Sequence, residues 1–208
     1  MAADYRPVAP LRSPWLRAAF VTPLAIIALL AAPVAFHVRA DAQRLGWLAL
    51  WGASVLQAVI GVLVIAAALR ESVPGRSWSR AAVALWLTMP VAVVLAVTAV
   101  SWQVSPAQLR GNWWQFAAVC FSGSASTALP IVALASVLAV RAFPTRPALA
   151  GAMIGLGAGL IADGGWRLFC SVSEPGHVLS THLAAVVMCG AIGALLAPSL
   201  AACRTRAR

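Results

Sequence analysis

The chain has 208 residues, 62% of them hydrophobic and only 10% charged, with a mean hydropathy of +0.90. A soluble domain carries about 25% charged residues, and one core of this length could not hide so much apolar surface, whereas a bilayer solvates the outer faces of apolar helices. Composition therefore excludes a soluble globular fold, and the formal net charge of +10, with every basic residue an arginine, falls in short connections between apolar runs and reads as topology rather than as direct nucleic-acid binding.

In chain order, residues 1–17 form a short N-terminal tail holding Arg6, Arg12 and Arg17. Six apolar stretches follow, from Ala18 to Val38, Leu45 to Leu69, Ala81 to Trp102, Phe116 to Val140, Ala148 to Phe169 and Val178 to Ala202. Each is about long enough to cross a ~30 Å hydrocarbon layer as a helix. Residues 18–202 are thus expected to form an all-α, polytopic transmembrane bundle of six helices, followed by a basic C-terminal tail over residues 203–208. The first run leads directly into this pattern and is not expected to be a cleaved signal peptide. Pro23, Pro33, Pro90 and Pro130 fall inside predicted spans, where neighbouring helices can satisfy the freed carbonyls. Gly151, Gly155 and Gly159 recur every four residues in span five and predict a face on which another helix approaches closely.

Short connections make neighbouring spans antiparallel, and arginine gives them a direction. Eleven arginines precede span one, separate spans two and three or four and five, or follow span six; only Arg39, Arg44, Arg110 and Arg167 fall on the other side. The positive-inside rule then puts both termini in the cytoplasm. Trp102, Trp113, Trp114 and Trp166 fall near the opposite, outer boundary, where an interfacial belt and ordinary packing account for them equally.

Few residues offer chemistry. Cys120 opens span four and Cys170 closes span five, which places both thiols near the outer face and, in antiparallel neighbours, potentially side by side. Oxidation, pairing, metal binding and plain packing all remain open for them. Cys189, deep in span six, and Cys203, at its inner end, read as packing residues. His37, His177 and His182 are also biased outward. With two thiols, His177 and His182 have the residue types of a soft-metal site. Yet their spacing matches no standard zinc motif, and a five-residue step does not align them on one α-helical face, so solvated interfacial histidines are the plainer expectation. Asp163 and Arg167 are four apart and share a face of span five. Asp163 lies roughly 10 Å below the outer end, where an acid costs about 2.5–3.5 kcal/mol on insertion scales. An internal ion pair that fixes helix packing is expected, with a coupling element beneath the outer thiol as the alternative. The five acidic residues make no hydrolase triad, phosphate loop or catalytic carboxylate pair, so neither an enzyme nor a cofactor is expected.

Several segments resemble the NrsF family of bacterial inner-membrane anti-sigma factors. They are DYRPVAPLRSPWLRAAF (Asp4 to Phe20), SVPGR (Ser72 to Arg76), PTRPALAGAMIGLGAG (Pro144 to Gly159) and FCSVSEPGHVLSTH (Phe169 to His182). They occur in the family's order and span most of the chain. The resemblance also implies a longer N-terminal stretch with a short helix, whereas only Met1 to Ala3 precede Asp4 here. It implies a six-span, multi-pass inner-membrane protein that sequesters an ECF sigma factor on its cytoplasmic side and releases it under stress. Cys120 and Cys170 occupy the places of two outer-face cysteines implicated in sensing metal or oxidants. Contact with the sigma factor would fall to the arginine-rich side, with Arg6, Arg12 and Arg76 as candidates. The alternative function is a small polytopic transporter or thiol-redox membrane protein, with Asp163 and Arg167 lining a polar path.

Overall fold

A computed structural model of the protein describes residues 11–104 and 113–206. Arg6, Arg110, Arg208 and most of the predicted N-terminal tail lie outside the described residues. Six helical stretches are long and apolar enough to cross a membrane, in the predicted number and order, and the described residues contain no strand.

The first span is two helices, α1 (Pro14–Ala19) and α2 (Thr22–Ala35). It begins four residues before the predicted Ala18 because Ser13 and Pro14 are a start signal. The Ser13 hydroxyl accepts the Leu16 N–H at 3.3 Å, and proline at the first helical position gives up an N–H that would be unpaired anyway. For the same reason Pro23, expected inside the span, sits harmlessly in the first turn of α2. A short α3 (Ala42–Leu45) meets α4 (Trp47–Glu71), the second span, through Gly46 at φ 81°, a conformation suited to glycine. Next come α5 (Arg80–Val104), a 3₁₀ turn (Trp113–Phe116), α6 (Ala117–Val140) and α7 (Pro147–Arg167). The sixth span opens with a single turn, α8 (Pro175–His177), then a π turn (Val178–Leu183), then α9 (Ala184–Arg206). The stretch from residue 203, read as a tail, is therefore helical as far as it is described.

Long-range contacts define two ends of the bundle. At the end where the described residues begin and finish, the buried Arg17 donates to the Leu69 carbonyl at 3.3 Å and to that of Leu138. Arg204 donates to the Val140 carbonyl at 3.1 Å, and Arg146 pairs with Glu71 at 2.5 Å. At the other end, the Arg39 N–H donates to the Leu168 carbonyl at 2.8 Å and Cys120 meets Cys170.

The axis between these ends is α7, which touches α2, α4, α5, α6 and α9. Sixteen of its 21 residues are buried, and glycine is the reason. Added methyl groups at Gly151 and Gly155 would collide with the Gly193 and Cys189 carbonyls of α9, and one at Gly159 would press on Val186. This is the predicted small-residue face. A second face, not anticipated, seats Gly157 against Gly61 and Gly164 against Ser54, both on α4. Lipid supplies no hydrophobic drive between helices, so such close backbone approach is what dispersion packing requires.

The tryptophans divide. Trp114 is exposed, but Trp166 is buried, stacks near Phe36 and Phe169 at 5.8 Å and donates to Thr127 at 3.0 Å. It is packing, not part of an interfacial belt.

Candidate functional site

The two predicted thiols meet. Cys120, on the first turn of α6, lies 3.5 Å from Cys170, Sγ to Sγ, in the α7–α8 connection. Both are buried, together with Val172. Three features fix Cys170: its N–H donates to the Trp166 carbonyl at 2.8 Å, Pro175 restarts the helix behind it, and the Arg39 side chain clamps the connection. Arg39, itself buried and paired with Asp41 at 2.5 and 2.8 Å, donates to the Ser171 carbonyl at 3.2 Å and to Ser173 Oγ at 3.1 Å.

The histidines depart from their expected role. His177 and His182 are 0% and 1% exposed, not solvated, and their rings lie 5.4 Å apart. The physical reason is the π turn. An α-helix cannot superpose residues five apart, but a π turn hydrogen-bonds i to i+5 and brings them onto one face. The Thr181 and Ser180 hydroxyls donate to the His177 and Gly176 carbonyls at 2.6 and 2.7 Å, occupying acceptors at the mouth of the wider turn. His177 Nε2 lies 3.4 Å from Cys170 Sγ. One ligand atom from each of Cys120, Cys170, His177 and His182 falls within 4.8 Å of every other. The Cys120 thiol donated toward Cys170, aided by His177 and His182, holds the Cys170 thiol well below its ordinary range against the opposing effect of burial. His37 is exposed, edge-on to Phe169, and lines the rim of the pocket that also borders Cys120 and Cys170, outside the four-residue group.

Beneath this cluster sits Asp163, fully buried. The expected pair with Arg167 forms, Nε to Oδ2 at 2.9 Å. It is one contact of three: Gln57 Nε2 donates to Oδ2 at 2.5 Å and His182 Nδ1 meets Oδ1 at 2.8 Å. An arginine-paired carboxylate only accepts, so His182 donates to it from Nδ1. Arg167 in turn donates to Thr98 Oγ1 at 2.8 Å. Asp163 therefore joins α4, α5, α7 and the π turn.

Residues 1–202 match the family described as NrsF, negative regulator of sigma F. The chain belongs to that family. No curated protein and no solved structure matches it. An NrsF-family chain with six apolar spans is a multi-pass membrane protein whose implied partner is a sigma factor.

On this NrsF chain the described candidate partner contacts, Arg12 and Arg76, lie at the end where the described residues begin and finish. Arg12 is exposed, over the Phe20 ring at 5.6 Å. Arg76 is exposed too and lines a groove with Trp15, Arg70, Trp78 and Trp86. Other arginines there serve the fold, as Arg17, Arg146 and Arg204 show. Four neighbours of the site were not anticipated from the sequence: Arg39, Asp41, Gln57 and Thr98. Gln57 and Thr98 did carry a signal, being polar side chains in the middle of apolar runs.

Proposed function

We propose that this protein is a membrane-embedded anti-sigma factor of the bacterial inner membrane. With both termini in the cytoplasm, its arginine-rich end holds an ECF sigma factor away from RNA polymerase. Cys120 and Cys170, at the outer end, sense metal or oxidative stress and trigger release. The observation that carries the reading is the buried thiol pair at 3.5 Å in a family of negative regulators of a sigma factor. The Asp163 network supports the transmission step. It links the thiol cluster, through His182, to helices that run the length of the bundle, and release requires two arrangements with different affinity for the partner.

The test has two arms. Affinity capture of the tagged protein from solubilised membranes should recover a sigma factor. Cys120→Ser combined with Cys170→Ser should change the metal- or oxidant-dependent output of that factor's regulon. Capture without any sigma factor removes the anti-sigma reading, and unchanged regulon output in the double variant removes the sensing reading.

A further inference from the structure

We propose that Cys120, Cys170, His177 and His182 form a closed, four-coordinate site for a soft divalent metal ion, with Asp163 as the outer carboxylate that orients His182. The proposal deepens the sensor reading above and rests on it for its biological consequence.

Geometry comes first. An ion bound tetrahedrally at about 2.3 Å to sulfur and about 2.0–2.1 Å to nitrogen sets its ligand atoms roughly 3.3–3.8 Å apart. The S–S and S–N separations here are 3.5 and 3.4 Å, and no pair among the four ligand atoms exceeds 4.8 Å. Only small side-chain movements separate this arrangement from a complete coordination shell. A disulfide asks for more, because the sulfurs would have to close to about 2.05 Å and an oxidant would have to accept two electrons.

Charge points the same way. Two thiolates and two neutral imidazoles around a divalent cation sum to zero, so the occupied site buries no net charge. The two thiol protons leave to solvent, and nothing is oxidised or reduced. Sulfur and imidazole donors select zinc or cadmium over magnesium or calcium, which take oxygen. Four protein ligands leave no open position, as in structural rather than catalytic zinc sites.

The outer contacts complete the case. Metal-binding histidines usually give their second nitrogen to a carboxylate, and His182 Nδ1 meets Asp163 at 2.8 Å. That bond directs Nε2 toward the thiols. The π turn has its explanation here too: it is the local structure that lets residues 177 and 182 serve one ion. Occupancy fixes His182 against Asp163, and Gln57 and Arg167 pass that constraint to α4 and α5.

The full chain, reduced and purified in detergent, would be titrated with Co²⁺ alone and followed by visible absorption, then back-titrated with Zn²⁺ and Cd²⁺. The expected result is saturable binding with the intense bands of tetrahedral cobalt and a thiolate charge-transfer band, both lost on displacement. Cys120→Ser and Cys170→Ser should remove the charge-transfer intensity, and His177→Ala with His182→Ala should abolish the tetrahedral spectrum. Asp163→Asn keeps all four ligands and should weaken binding about 10- to 100-fold, whereas His37→Ala should bind as wild type. Variants are compared only when they elute as single species; if Asp163→Asn does not, the cysteine and histidine variants carry the test. Absent binding, an octahedral spectrum, or an unchanged spectrum in the double histidine variant each overturns the site. The titration uses no sigma factor. Failure here with a sigma factor captured sinks this inference alone, and a tetrahedral spectrum with none captured sinks the anti-sigma reading alone.

Discussion

Glu71 closes α4 with its carboxylate buried between the Trp78 N–H, which donates to it at 2.7 Å, and the half-exposed Arg146 guanidinium at 2.5 Å. Its two jobs separate by substitution. Glu71→Gln keeps an acceptor for Trp78 and loses the charge opposite Arg146, a partly solvated pair that is worth little. Glu71→Ala also strands a partly buried N–H, at about 1 kcal/mol or somewhat more. In thermal unfolding in detergent the alanine variant should melt clearly below the glutamine variant; equal melting would show that the Trp78 contact contributes nothing. Arg39 makes a related point. Counted along the sequence it is one of four arginines on the outer side, but its contacts make it the clamp on the Cys170 connection. Position in a span order reports charge count, not the partner a charge has found.

At the scale of elements, α7 and its glycines decide the architecture. Gly155→Val should push the Cys189 carbonyl, and α9 with it, away from α7 and lose about 1–3 kcal/mol. Gly52→Ala, where a methyl group meets nothing within 4 Å, should leave stability unchanged or slightly raised through helix propensity. A similar loss in both, measured by unfolding in detergent, would remove the packing-seam argument. The spans themselves were legible because hydropathy is a sum over some twenty residues and tolerates local error. So was the meeting of Cys120 with Cys170, which follows from antiparallel neighbours. The His177–His182 alignment was not, because five-residue spacing argues against contact until the helix widens locally, and no composition signal announces a π turn. Ser13 and Pro14 were readable as a helix start, but hydropathy alone put the first span later. Gln57 and Asp163 lie 106 positions apart, and only the folded chain brings them together.

The whole molecule is unevenly packed. The most apolar stretch of α7 is 83% buried and that of α5 only 17%, with a cavity of about 220 Å³ between α4 and α5 that reaches Gln57 and Arg167. Orientation is the global property on which the proposed function depends, and Cys203 reports it. It is exposed, whereas Cys120, Cys170 and Cys189 are buried. A membrane-impermeant maleimide should label Cys203 only after spheroplasts are permeabilised, since a cytoplasmic terminal end is shielded; labelling of intact spheroplasts would reverse the assignment. α6 begins beside the thiols at Cys120 and ends where Arg17 of the first span and Arg204 of the last both grip its carbonyls, at Leu138 and Val140. Mechanically it is a tie rod about 30 Å long between those points, with give at Pro130. A small axial shift at its thiol end would be delivered to the Arg17 and Arg204 guanidinium groups, so α1 and α9 would move together.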